Sequence, residues 1–331
     1  MTKTFKIKHN SNFDRELGLA RKVAEYSIKN KDHFSFKDVA HLGLRYTLAN
    51  SIMWKYGRNK KAKVIKSVPL IVRGTAIRLV GTTLKVKMLN FSLELPKVIK
   101  FRQIELDKEY AYITHEVDCA RPIKARKHIG VDLNTTGHCA VVAVRETGKV
   151  YKLGKKAEHI HKKYKQMRRK LQGLGKYGMV KKIKNRESRI IKDLNHKISR
   201  FIVNLAIKEK GGLQLEKLQG IRKTTKSSKS FKYALNSWSY FQLGKFLEYK
   251  ALLAGIPLSY IEPAYTSKSC SRCGLLGERN DKLFKCPNGH AEHADANAAF
   301  NIALLSPSII QLQEDRDFCK RNTDVRQRAT N

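Results

Sequence analysis

The chain has 331 residues, 41% of them hydrophobic, enough to bury the cores of about two domains and too many for a disordered tail. Its 68 Lys and Arg outnumber 28 Asp and Glu to leave a formal charge of +40, which points to a phosphate-rich partner bound with steep salt dependence. No apolar run reaches the roughly 18 residues of a membrane span and no signal-peptide pattern is present, so the membrane is not an expected partner and a prokaryotic cytosolic or nucleoid setting is.

The first ten residues alternate apolar and polar side chains and predict a strand. Two helices are expected next, over residues 12–29, capped by Ser11 or Asn12, and over residues 35–56, running into a basic stretch at 58–66. Between residues 68 and 117, short alternating segments separated by turn signals such as Val80-Gly81-Thr82 predict a small antiparallel barrel, with the helices (about 12–66) inserted into it. A basic linker, 121–128, leads to HIGVDLN, HCAVVAV and KVYKLG, read as a buried strand and two antiparallel neighbours joined by a Thr-Gly-Lys turn.

Residues 155–186 hold thirteen Lys or Arg and a single acid, Glu158, on helical sequence interrupted at Gly173, Gly175 and Gly178. Lys162, Lys163, Arg168, Arg169, Lys170, Lys181 and Lys182 are the candidates there for tracking a phosphate backbone. A long amphipathic helix over 181–208 follows, its apolar face, with Ile191, Ile198 and Ile202, expected in the core. GGLQLEKL reads as another buried strand. The Ser-rich loop 222–232 adds Arg222 and Lys223 as nucleic-acid candidates. A helix over 240–254, a strand PLSYIE, a cysteine loop and a last helix over 295–305 complete the core, and 306–331 reads as a polar tail.

Two groups of residues carry chemistry. Asp132 interrupts the apolar strand Gly130-Val131-Asp132-Leu133, Glu216 ends Leu213-Gln214-Leu215-Glu216, and Asp295 opens a helix of small residues suited to tight packing on a sheet. Unpaired buried charge is costly, and clustered carboxylates that coordinate Mg²⁺ resolve that cost. Two Mg²⁺ ions so held hydrolyse phosphodiesters, and a ribonuclease H type core presents carboxylates in this order, from a first strand, a later neighbouring strand and the final helix. The competing reading makes Asp295 only a helix cap. Cys270-Ser-Arg-Cys273-Gly274, twelve residues before Cys286-Pro-Asn-Gly-His290, reads as a zinc ribbon whose second half ends in a histidine. His290 is the expected fourth ligand of one structural Zn²⁺ and His293 the alternative. Cys119 and Cys139 lie in strand-like sequence and read as buried hydrophobes. Arg272, between the ribbon cysteines, reads equally as a phosphate contact and as a surface residue.

With these residues in view, GVDLNTTGHCAVV, LQLEKLQGIRK, WSYFQLGKFLEYKALLAGIPLSYIEPAYTSKSCSRCG and HADANAAFNIA resemble the TnpB family, transposon-encoded RNA-guided nucleases related to the small type V CRISPR effectors. The resemblance covers about the last 200 residues, and the first 120 in general organisation. It implies an α/β and β multidomain fold: a wedge-like β-barrel with a helical insertion (1–120) for guide and target recognition, and a RuvC-like nuclease (129–262 and 291–305) carrying a zinc ribbon (263–290) that binds target nucleic acid. It further implies Asp132, Glu216 and Asp295 as the catalytic metal-binding triad of a Mg²⁺-dependent DNA endonuclease, with guide RNA and double-stranded target DNA as partners of a monomer. Two other activities fit the same residues, a guide-dependent regulator that binds without cutting and a strand-transfer transposase.

Overall fold

The computed structural model describes residues 1–31, 35–59, 65, 67–97, 100–134, 137–218, 240–262 and 266–304. The loop with Arg222 and Lys223, Cys319 and the 306–331 tail lie outside the described residues. The chain divides into two compact units, Met1–Asp118 and Cys119–Asn331. Among the described residues, no helix is long and apolar enough to cross a membrane.

In the first unit, β1 (Thr2–Lys8) precedes three helices, α1 (Asp14–Lys29), α2 (Phe36–Val39) and α3 (Tyr46–Gly57). Then come β2 (Leu70–Arg73), β3 (Arg78–Val80), β4 (Thr83–Val86), β5 (Phe91–Glu94), β6 (Phe101–Leu106) and β7 (Tyr110–Glu116). The strands expected to form a barrel make two antiparallel sheets, ordered β1-β7-β6-β2 and β3-β4-β5, with no strand pairing between the two among the described residues. Both contribute to one core, in which Leu70, Ile104 and Ile113 of the larger sheet and Leu84 of the smaller join Val23 and Ile52 of the helices.

Two helix boundaries differ from the sequence reading. Phe13 rather than Ser11 or Asn12 holds the N-cap position of α1, without a side-chain cap bond, and the Asn12 side chain accepts from the Asp14 amide at 2.9 Å. The second expected helix is broken in two, because Gly43 adopts φ 75°, a left-handed conformation that ends the short first piece. That piece starts at Ser35, where the Ser35 side chain and Asp38 satisfy each other's backbone amides in a capping box.

The second unit is built on β8 (His128–Leu133), β9 (Ala140–Val144) and β10 (Lys149–Leu153), followed by α4 (Lys156–Gly173) and α5 (Tyr177–Glu209). Next are β11 (Gly212–Glu216), α6 (Tyr240–Ala254) and β12 (Leu258–Ile261). A small hairpin sheet of β13 (Glu278–Asn280), β14 (Leu283–Lys285) and β15 (Ala291–His293) leads into the final helix α7 (Ala294–Leu304). The main sheet has the order β10-β9-β8-β11-β12. β8, β9 and β10 pair antiparallel, as expected, and β11 lies parallel between β8 and β12. The helical break expected at three glycines falls at one: Gly175, with φ 65°, lies between α4 and α5, whereas Gly178 continues in α5.

Central strands covered on both faces are apolar almost throughout, as β8 and β9 are, and both are almost entirely buried. Ile129, Val131, Leu213 and Leu215 face one way, onto Ile198 and Ile202 of α5 and Leu243 and Leu247 of α6. Strand alternation turns Gly130, Asp132, Gln214 and Glu216 to the other face, the one α7 covers through Ala299 against Val141 and Ala143. Gly130 makes that approach possible, because a Cβ there would stand 1.9 Å from the Ala299 carbonyl oxygen.

Candidate metal centres

The three carboxylates reach one place by three routes. The register sets Leu215 opposite Val131, so Glu216 lies level with Asp132 one step further along two parallel strands. α7 crosses their shared face in contact with Gly130 and brings in Asp295 from its first turn. Asp132 and Asp295 are buried, 7% and 1% exposed, and Glu216 is partly so. Burial, then the negative charge of Glu216 and more weakly that of Asp295, pushes the Asp132 carboxyl up to about 7 against a hydrogen bond from the Asn134 side chain at 2.9 Å. Burial also raises Glu216, opposed by the Thr266 hydroxyl and by Arg279. Carboxylates gathered in so buried a place form a site whose charge is satisfied by cations.

Two of those cations are side chains absent from the sequence reading. Arg279 on β13 donates from Nη2 to Asp295 Oδ1 at 2.9 Å, and Lys282 in the β13–β14 turn donates from Nζ to Asp295 Oδ2 at 2.7 Å. Both come from the ribbon hairpin, so this hairpin is part of the carboxylate site. Asp295 is therefore a paired, buried acid rather than a helix cap alone. The ribbon is anchored from the other side by α7: Asn297 accepts from the Ser271 amide and donates to the Ser269 carbonyl, and Asn301 donates to the carbonyls of Thr266 and Ser269. Thr266 in turn donates to Glu216. One signal for the cations was available in Asn280-Asp281-Lys282, a hairpin-turn sequence that holds Arg279 and Lys282 on either side of its tip.

In the ribbon, the ligand atoms of Cys270, Cys273, Cys286 and His290 all lie within 4.8 Å of one another. Each half is a tight turn. The Gly274 amide donates to the Cys270 carbonyl at 2.8 Å and the Gly289 amide to the Cys286 carbonyl at 2.9 Å, with φ of 77° and 79° at the two glycines. Burial opposes ionisation of Cys270, but the amides of Arg272 and Cys273 and the Cys273 and His290 side chains outweigh it and bring the thiol down to about 6. Three thiols and an imidazole at this spacing are the soft, tetrahedral donor set that zinc takes. His293 is outside this group; it ends β15, two residues before Asp295, and feels the Asp295 charge.

Of the basic candidates on α4 and α5, Lys163, Arg169, Lys170, Lys181 and Lys182 are exposed, and Lys162 is exposed and paired with Glu158 at 2.6 Å. Arg168 differs from these in being part-buried: it bonds the buried Glu187, which also takes His161 Nδ1 at 2.8 Å, and so clasps α4 to α5. The periodicity of the basic stretch hid this because Glu187 stands just beyond it. Cys119 is a correction, being exposed, while Cys139 is part-buried beside Gly154.

A buried carboxylate cluster on a mixed sheet, closed by a thiol-rich hairpin that supplies two cations, defines an α/β protein with two candidate metal centres. Residues 240–302, from α6 to α7, match the family model described as Cas12f1-like, TNB domain. The chain is similar to a TnpB-like protein of Methanocaldococcus jannaschii, 35% identical over 48% of this chain and 59% of that protein. It is similar to the CRISPR-associated endodeoxyribonuclease Cas12f1 of Sulfoacidibacillus thermotolerans, 30% identical over 88% of this chain and 69% of that protein. A TnpB-like protein of Aquifex aeolicus is 31% identical over 55% of this chain and 68% of its own length. The matched stretch thus spans less than two thirds of the Methanocaldococcus protein and slightly more than two thirds of the other two. The fold is similar to that of a chain in a cryo-EM structure of a Cas12f1–sgRNA–target DNA complex, with a TM-score of 0.58 at 16% identity over 88% of this chain and 82% of that one. The chain belongs to the TnpB family.

Proposed function

We propose that this chain is an RNA-guided DNA endonuclease whose second unit is a RuvC-like core with a single Mg²⁺-dependent site. The observation that carries the reading is the convergence of Asp132, Glu216 and Asp295, from two adjacent parallel strands and the last helix, where burial first and the charges of Glu216 and Asp295 second hold Asp132 at about 7. Relatives named as an endodeoxyribonuclease and as TnpB-like proteins support the activity, and the sgRNA and target DNA in the structural neighbour's title support the partners, a guide RNA and double-stranded DNA.

In this reading Asp132, Glu216 and Asp295 together would hold the catalytic Mg²⁺, two ions by the chemistry of phosphodiester hydrolysis. Bound Mg²⁺ supplies Lewis acidity and a more acidic water for phosphodiester hydrolysis. The chain's own part is to hold the acids rigidly: Thr266 orients Glu216, Asn134 orients Asp132, and Arg279 and Lys282 orient Asp295. Cys270, Cys273, Cys286 and His290 would hold one structural Zn²⁺, and the hairpin they close carries both cations, Arg279 and Lys282. The exposed lysines and Arg169 of the α4–α5 hairpin hold phosphate backbone. The first unit recognises guide and target.

The test is a supercoiled plasmid matched to the guide RNA that copurifies with the protein, incubated with Mg²⁺. Wild type is expected to cut it, and Asp132→Ala is expected to bind it equally well and leave it whole. A wild-type protein that binds without cutting makes it a regulator, joined transposon ends make it a transposase, and cutting by Asp132→Ala removes the carboxylates from the reaction.

A further inference from the structure

Away from the sheet, α5 and α6 flank an open cavity of about 580 Å³ lined by His196, Lys197, Arg200, Phe201, Tyr249 and Lys250. Its floor is unusual. Lys250 is 3% exposed, yet its ammonium meets only neutral acceptors, the His196 carbonyl at 2.7 Å and the Ser199 hydroxyl at 2.6 Å. No carboxylate pairs with it among the described residues, and Arg200, the charged group that acts on it, is a second cation. Burial and that repulsion bring the Lys250 amine down to about 8. Lys197 is already matched by Asp193 at 2.8 Å, whereas Arg200 has no acid partner among the described residues. Buried charge without a counter-charge is costly, so the buried Lys250 ammonium, with the exposed Arg200 beside it, marks a place where an anion completes the structure.

The walls narrow the choice of anion. Phe201 is 41% exposed, packs edge-on against Tyr151 at 5.5 Å and stands on the same helix face as Arg200 and Lys197. Across the cavity Tyr249 is half-buried, and the His196 ring lies flat on Phe246 at 3.9 Å, which fixes that rim. Cations beside exposed ring faces suit a phosphate that carries a base, because the charge takes the phosphate and the ring takes the base. A simple carboxylate would leave the ring surface unused.

We infer that the α5–α6 cavity is a nucleotide-phosphate site in which Lys250 and Arg200 bind the phosphate and Phe201 or Tyr249 stacks the attached base. The site is separate from the carboxylates, which lie on the opposite face of the sheet. It does not depend on nuclease activity. The phosphate can belong to a strand or to a free nucleotide, and the experiment separates them.

The full chain, freed of copurified nucleic acid, is titrated with a labelled oligouridylate RNA over a range of salt. Arg200→Ala and Lys250→Met are compared with Lys208→Ala, an exposed α5 lysine outside the cavity. Each lost phosphate contact on a single strand is expected to lower the slope of log affinity against log salt by about 0.7, with Lys208→Ala leaving it near wild type. Lys250→Met is expected to keep or raise the thermal midpoint, since it removes a buried charge, which separates a binding role from a structural one. In a second arm, uridine monophosphate added to wild type reports a free-nucleotide site if the midpoint rises in wild type but not in Arg200→Ala. A slope effect without that rise assigns the site to a strand. The proposal is overturned if both cavity variants match Lys208→Ala and the nucleotide leaves the midpoint unchanged. It is also overturned if Lys250→Met changes binding only together with a lower midpoint while Arg200→Ala changes nothing.

Discussion

The zinc ribbon and the carboxylate cluster are neighbours built in opposite ways. The ribbon is local: Cys270 and His290 are 20 residues apart, and the first turn supplies from its own Arg272 and Cys273 amides the backbone donors that lower the Cys270 thiol even without metal. The carboxylate cluster is assembled from distant elements, and its parts oppose one another, since Glu216 and Asp295 both push Asp132 upward. The first site is prepared by its own sequence neighbourhood. The second exists only because the fold forces like charges together, and it borrows two cations from the first.

That dependence has consequences that can be measured. With zinc in the proposed ribbon site, a strong chelator is expected to remove a stabilising contribution on the order of 10 kcal/mol, the scale of structural zinc in isolated fingers. The hairpin is expected to unfold, shown by a lower thermal midpoint. Cleavage is expected to fall with it because Arg279 and Lys282 leave Asp295. Cleavage that survives zinc loss would separate the two sites.

The opposing character of the carboxylates is tested by Asp132→Asn. The folded carboxyl sits at about 7, above the roughly 3.9 of an unfolded chain, so the metal-free folded state binds an extra proton between those values. Its stability therefore falls as pH rises from about 4 to about 7 and stays low above that. Asp132→Asn is expected to stabilise the metal-free protein by a few kcal/mol at pH 8 and hardly at all near pH 4. Thermal midpoints across pH give the difference directly, and added Mg²⁺ should raise the midpoint of wild type more than that of the variant.

Gly130→Ala probes how the fold brings the acids together. The added methyl would collide with the Ala299 carbonyl and force α7, with Asp295, off the sheet. A loss of about 1–3 kcal/mol in denaturant unfolding is expected, together with loss of cleavage out of proportion to the loss of stability. The smallest expected effect sharpens the boundary between the sites: His293→Ala should leave zinc content near wild type, whereas His290→Ala should lower it, by metal analysis of purified protein. The reverse result would move the fourth ligand to His293.

Strand and helix periodicity made the second unit legible in outline: the meander of β8, β9 and β10, the buried β11 and the helix over Tyr240–Ala254 follow from apolar patterning alone. The break at Gly43 was hidden because an otherwise helical pattern gives no warning of one left-handed glycine. Arg168 looked like its basic neighbours until packing set Glu187 against it. Likewise Lys250 reads in sequence as an ordinary helix lysine, and its burial against the His196 carbonyl, with no acid on it among the described residues, is a property of how α5 meets α6.

What the sequence by itself determined is the inventory: three acids in apolar surroundings, two metal-binding turns and an excess of positive charge. These follow from local rules, since an acid in a buried strand and a cysteine pair at a short spacing are costly or idle without a metal. Only the tertiary structure decided who compensates whom. Electrostatic partnership depends on distance through space, and distance is set by the register of β11 on β8 and by the contact of α7 with Gly130. Chain order alone could not place Arg279 and Lys282 on Asp295, or leave Lys250 and Arg200 waiting for an anion.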